Sequence, residues 1–237
     1  MIMTHGRSLG LWTLAALLLT ASAARAENLI VVDARGIGLK PGSSIDSTKP
    51  LVLKQGQHVT LISQSGATLT IDGPYNKAPS AGGQGRSVST TLAGLTTERT
   101  ARTGEAGVTR GTKVNALPQA WLLDVSHSGS VCLLENHEPV FWRPDASAPS
   151  SLTVMPSDHS WKSQAVWPAG STTLKVTTDV PVHGGAAYVV KFNGSDYALA
   201  VNTVPASLSN DSMRAAWMLQ KGCEAQAEAL LRPRANE

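Results

Sequence analysis

Compact signatures of catalysis are missing from the sequence. It contains no G-x-S-x-G elbow, no G-x-x-x-x-G-K phosphate loop, no H-E-x-x-H helix and no EF-hand loop, so no cofactor or metal site is expected. Cysteine is scarce: Cys132 and Cys223 stand alone, outside the C-x-x-C spacing of a redox-active pair. An excess of one charge is lacking as well. The 20 basic and 17 acidic residues leave +3, and Arg7 and Arg25 of the acid-free first 26 residues account for two of these, so the remainder stands at +1. A nearly neutral chain without a basic stripe has no footprint for nucleic acid or an anionic membrane surface. Aromatics are missing from a long stretch, since Tyr75 is the only one between Glu27 and Ala120. Beyond residue 26 no apolar run is long enough to cross a bilayer.

What is present begins with an export signal. His5, Gly6 and Arg7 precede an apolar core over residues 9–19, and Ala24-Arg25-Ala26 supplies small residues at the minus-three and minus-one positions of a cleavage site. Cleavage after Ala26 is expected, which makes the chain periplasmic; an uncleaved anchor is the alternative. No Cys follows that site, so a lipid anchor is not indicated. In such an oxidising compartment the two cysteines, Cys132 in a strand and Cys223 on the buried face of a helix, are expected to form a structural disulfide.

Residues 27–76 read as a small β-module. Leu29-Ile30-Val31-Val32 is a β-branched run too short for a helix, and Lys40-Pro41-Gly42 is a turn by its chemistry. Residues 50–54 and 58–62 are expected to form an antiparallel pair about Gln55-Gly56-Gln57. Thr68-Leu69-Thr70-Ile71 alternates strictly, which places Leu69 and Ile71 on one face. The pattern Leu39-x-Pro41-Gly42-x-x-Ile45-Asp46, Leu51-x-Leu53-x-x-Gly56-x-x-Val59-x-Leu61, Leu69-x-Ile71 resembles the β-domain of FecR-type periplasmic proteins. Here Gln55-Gly56-Gln57 stands where that family usually carries Asp-Gly-Ser. The resemblance implies a non-enzymatic β-repeat surface in the envelope and carries over no site residue.

Residues 77–116 change character. They are rich in Thr, Gly, Arg and small residues and read as a flexible connector, with a helical turn or two conceivable over 89–99 around Leu92 and Leu95. Arg86, Arg99, Arg102, Arg110 and Lys113 make the stretch locally basic, and a docking arm for an acidic partner is the alternative to a plain linker. Aromatics then mark a second core. Over residues 117–205, eight short apolar runs separated by turn chemistry predict an antiparallel β-sandwich, similar in architecture to fibronectin-type or immunoglobulin-like modules. Residues 206–232 read as one helix docked on that sandwich, capped by Ser207, Ser209 or Asn210 and interrupted by a costly mid-helix Gly222. The fold class is therefore mainly β with a C-terminal helix.

The mature histidines, His58, His127, His137, His159 and His183, are scattered beside turn residues. The neighbouring pairs Asp158-His159 and His137-Glu138, and the run Ser126-His127-Ser128, are read as loop residues, because adjacency in sequence does not aim two side chains at each other. Trp142, Trp161 and Trp167 are weighed as a glycan-stacking platform against membership of the core, and the core reading is preferred. The expected function is non-catalytic binding, as a scaffold or accessory of an envelope sensor or surface complex with a protein partner. A glycan-binding module or wall-polysaccharide enzyme is the alternative.

Overall fold

The computed structural model describes residues 27–79, 87, 88, 90, 91, 116–175 and 181–233. The leader expected over residues 1–26 and the helical turn expected within 89–99, apart from its first residues, lie outside the described residues. The architecture is mainly β, with two helices near the C-terminus.

In the first module β1 (Asn28–Arg35), β2 (Ser44–Asp46), β4 (His58–Ile62) and β5 (Thr68–Asp72) form an antiparallel sheet in the order β2-β1-β4-β5. β3 (Leu51–Leu53) and β6 (Tyr75–Lys77) make a separate two-stranded sheet. The expected pairing of residues 50–54 with 58–62 is therefore corrected. The turn between them forms as its residues dictate, with Gly56 at φ +80° and the Gln57 amide donating to the Lys54 carbonyl at 3.0 Å. Each strand nonetheless leaves it for a different sheet, because Leu53 closes one side of the Leu29, Val31, Val59, Leu61 and Ile71 cluster while β4 runs through its middle.

The period of two along β1 sends Leu29 and Val31 into that cluster and Ile30 and Val32 into another, so this strand is buried on both faces. What covers its second face is the C-terminal helical segment. It comprises α1 (Asp211–Gln220) and α2 (Glu224–Leu231), not one helix. Asn210 caps α1 by accepting from the Met213 amide at 2.9 Å, and its side-chain amide donates to the Gln64 carbonyl of the first module. Gly222 is no mid-helix residue. At φ +76° it ends α1, the Cys223 amide reaching back to the Met218 carbonyl and the Gly222 amide to that of Leu219.

The second module has a five-stranded sheet in the order β11-β10-β13-β14-β8, built from β8 (Gly129–Leu134), β10 (Ser150–Pro156), β11 (Ser163–Trp167), β13 (Ala186–Phe192) and β14 (Ser195–Val204). A three-stranded sheet of β12 (Thr173–Lys175), β9 (Val140–Trp142) and β7 (Leu122–Asp124) faces it. Phe141, Trp167, Tyr188, Phe192 and Leu199 fill the space between. Most pairs are antiparallel as expected, but β8 with β14 and β7 with β9 are parallel.

Met213, Ala216 and Trp217 of α1 and Ala227 of α2 pack together with Ile30, Val32 and Ile62 of the first module and Cys132 and Val204 of the second. The helical segment is thus a layer between the modules rather than a lid on one of them. Val88, in the stretch read as a connector, is buried in the same layer.

The Cys132–Cys223 disulfide ties β8 to the corner between the helices. Beside it, buried Gln226 serves the outer edge of β8 as a strand would: its Oε1 accepts from the Cys132 amide at 2.6 Å and its Nε2 donates to the Cys132 carbonyl at 2.7 Å. Replacing both cysteines by Ser should cost about 4 kcal/mol, because the bridge spans 91 residues of chain. Urea unfolding of the oxidised protein and of the double variant measures this. A difference below about 1 kcal/mol would show that the helical layer holds without its clamp.

Candidate functional site

A cleft of about 240 Å³ opens where the ends of β7 and β8 meet the corner between α1 and α2. Asp124, His127, Ser128 and Glu224 stand on its wall, and Leu117, Leu122 and Cys223 supply apolar surface. Asp124 is buried at the end of β7, and the structure draws Ser126 and His127 around it. Its Oδ1 accepts from the Ser126 amide at 2.8 Å and from the Ser126 hydroxyl at 2.6 Å. His127 Nδ1 lies 3.1 Å from Asp124 Oδ2 and 2.8 Å from Ser126 Oγ.

These are the residue types of a serine hydrolase in the wrong connectivity. A working triad places the carboxylate on one imidazole nitrogen and the nucleophile on the other, so that the base takes the hydroxyl proton while the acid orients the ring. Here Ser126 and Asp124 share Nδ1, and the hydroxyl also reaches the carboxylate directly. The arrangement is a turn that satisfies a buried carboxylate.

Asp-x-Ser/Thr turns of this kind recur along the surface. Side-chain and backbone hydrogen bonds from Thr48 hold Asp46 below the usual carboxylate range. The backbone amide of Ser147, then its side chain, does the same for Asp145, and Ser160 likewise for Asp158. Asp158 therefore bonds Ser160, while its neighbour His159 sits at φ +57°. His137 Nδ1 meets the Glu135 carbonyl, and His183 Nδ1 that of Pro181. His58 is the histidine with a strand partner, Asp72, at 2.6 Å across β4 and β5. No group of three or more His, Cys, Asp or Glu placed to hold a metal occurs among the described residues.

The three weighed tryptophans do not form a platform. Trp142 packs with Leu117 and Leu122 under α2, Trp167 lies in the centre of the sandwich, and half-buried Trp161 stands 6.0 Å from the Tyr188 ring. Their faces are taken by core contacts, because a sandwich of this size has few other large side chains to fill it. Sequence reasoning passed over the residue that organises this end of the molecule, Arg143. It is 2% exposed, and its guanidinium lies 5.0 Å above the Trp167 ring. It donates to the carbonyls of Ser171, Ala148 and Pro168 and to the Ser150 hydroxyl, all within 3.0 Å. An Arg directly following the apolar Val140-Phe141-Trp142 strand was the one available signal.

The outward face of the five-stranded sheet is ordered in rows. Tyr188, Val190, Leu199 and Val201 point into the sandwich, so their neighbours point out. One row is polar: Gln164 Nε2 donates to Thr153 Oγ1, and Lys191 Nζ to Asp196 Oδ2 at 3.0 Å. The next rows are apolar, with buried Met155 and half-buried Val189 beside Ala198, and Ala187 beside Ala200. Ala187, Ala198 and Ala200 are exposed. This face carries no net charge of its own, since Lys191 and Asp196 satisfy each other.

The sequence matches no family model and no curated protein.

Of the five tryptophans beyond residue 26, Trp121 and Trp161 are half-buried and the rest buried, so iodide should quench a minor fraction of the indole emission. A linear Stern–Volmer plot covering the whole emission would contradict this packing. The lowered carboxylates contribute stability that is present above the ordinary carboxylate range and lost as pH falls through their lowered values. Carboxyl NMR titration should give Asp46, Asp145 and Asp158 midpoints below 3.8.

Proposed function

We propose that the chain is a non-catalytic binding or scaffold protein of the bacterial envelope, an exported accessory of a sensor or surface complex, which receives a protein partner on the outward face of its five-stranded sheet. The observation that carries the reading is that face. Beside its self-neutralised polar row it is apolar, and its Ala187, Ala198 and Ala200 are exposed. Such a surface suits an apolar protein contact better than a sugar, which needs exposed aromatic faces and convergent polar groups. The disulfide suits an oxidising compartment, and among the described residues no helix is long and apolar enough to cross a membrane. The FecR-like pattern of residues 29–75 points to the same setting.

The rigid junction fits a scaffold. A surface held by a disulfide, a buried glutamine and a helix shared between two modules changes little on binding, so contact area is not offset by ordering. Co-purification of the tagged full chain from crosslinked native envelope, beside an Ala198→Glu/Ala200→Glu variant, tests the proposal. One envelope protein should be enriched in stoichiometric amount and fall at least about tenfold with the variant, the effect of burying an unpaired charge in an interface. Enrichment of wall-glycan fragments without a protein, or a partner indifferent to the two substitutions, would overturn it.

A further inference from the structure

Sheet edges are the surfaces a β-rich chain must defend, because their unpaired N–H and C=O groups template further strands. Most edges here are defended in recognisable ways. β2, β3, β6, β7 and β12 are three residues long. β5 is longer but ends in a charge, Asp72, held by His58 at 2.6 Å. The outer edge of β8 is occupied by the Gln226 carboxamide.

β11 is the exception. Its five residues, Ser-Gln-Ala-Val-Trp, include no charge and no proline, and its register against β10 runs unbroken from Ser150 opposite Trp167 to Val154 opposite Ser163. It terminates the sheet, so its outer backbone groups face away from β10. Val166 on it is 77% exposed, the most exposed large apolar side chain among the described residues. Guarding residues occur just outside the strand, as Lys162 and Pro168.

We propose that this edge pairs with β11 of a second copy of the chain, antiparallel about a two-fold axis at Ala165. The strand is self-complementary in that register. Ser163 falls opposite Trp167 of the other copy and Gln164 opposite Val166, so the aliphatic stem of each glutamine covers an otherwise exposed valine. Lys162 falls opposite Pro168, and no like charges meet. Any register shifted towards Lys162 brings the two lysines closer, which disfavours it. A two-fold perpendicular to the sheet keeps both outward faces on one side and produces a continuous ten-stranded sheet. An edge of five residues buries less than a standard interface, so the dimer is concentration-dependent and dissociates in the micromolar range.

The proposal does not depend on what the outward face binds. Sedimentation velocity of the full mature chain, from about 1 to about 100 micromolar, tests it. The wild-type mass should rise from monomer towards dimer across that range. Gln164→Lys/Val166→Lys, both exposed positions outside the core, should remain monomeric throughout with the circular dichroism and thermal transition of the wild type. A wild type that is monomeric at the highest concentration overturns the proposal. So does a folded variant that dimerises as the wild type does, since the contact would then lie elsewhere. A monomeric wild type that instead captures an envelope protein sinks the second-copy assignment.

Discussion

The burial of β1 on both faces is the constraint from which the rest of the structure follows. A strand with an apolar residue at every position from Leu29 to Val32 cannot be stable with one face in water, and its own module supplies cover for one side only. The second cover is α1, which comes from the far end of the chain. Ile30 and Val32 meet Trp217 and its neighbours, and the Trp217 Nε1 donates to the Thr203 carbonyl at 3.0 Å while Lys221 Nζ donates to that of Val32 at 3.3 Å. One helix thereby serves a strand from each module, and the two modules share a single apolar layer.

That layer is held by interactions of very different sequence range. The disulfide limits the unfolded chain, and Gln226 satisfies backbone groups of β8 that would otherwise be buried without partners. Gly222 turns the chain between the two helices, where any residue with a Cβ would meet both the strain of positive φ and the Ser130 side chain at 3.3 Å. Close approach also recurs at Gly66, whose missing Cβ leaves room for the Ser212 carbonyl and Val88. Arg143 and Asp124 are accommodated in this interior by their hydrogen bonds to neighbouring carbonyls, amides and hydroxyls. What the core leaves plain is an alanine-bearing sheet face and the uncharged edge strand β11.

Much of this was legible along the chain because it depends on local chemistry. The β character of the strands follows from alternation and branched side chains, as Leu69 and Ile71 sharing a face illustrates. The turns at Lys40-Pro41-Gly42 and at Gly56 form where proline and glycine allow, and the helical C-terminus begins at one of the expected caps, Asn210. The disulfide was legible because the chain holds two cysteines and they stand outside any C-x-x-C pair.

Partnership was not legible, since it is settled by contacts between residues far apart in sequence. Residues 51–53 and 58–62 carry a good hairpin turn yet join different sheets, and Leu53 meets Val59 and Leu61 through side-chain packing in one apolar cluster, not through a shared ladder. β8 runs parallel to β14 although short connections elsewhere favour antiparallel neighbours, and the row that sets Met155 beside Val189 and Ala198 exists only across three strands. Helix periodicity continued through Gly222, and what stopped the helix there was its left-handed backbone and the pull of Cys223 towards Cys132. By itself the sequence determined which segments are strand, turn or helix and which thiols meet, because propensity, steric limits and redox chemistry act locally. Tertiary structure alone decided which strands pair, which faces are covered and which edge stays open, because those depend on how much apolar surface each distant segment has left to bury.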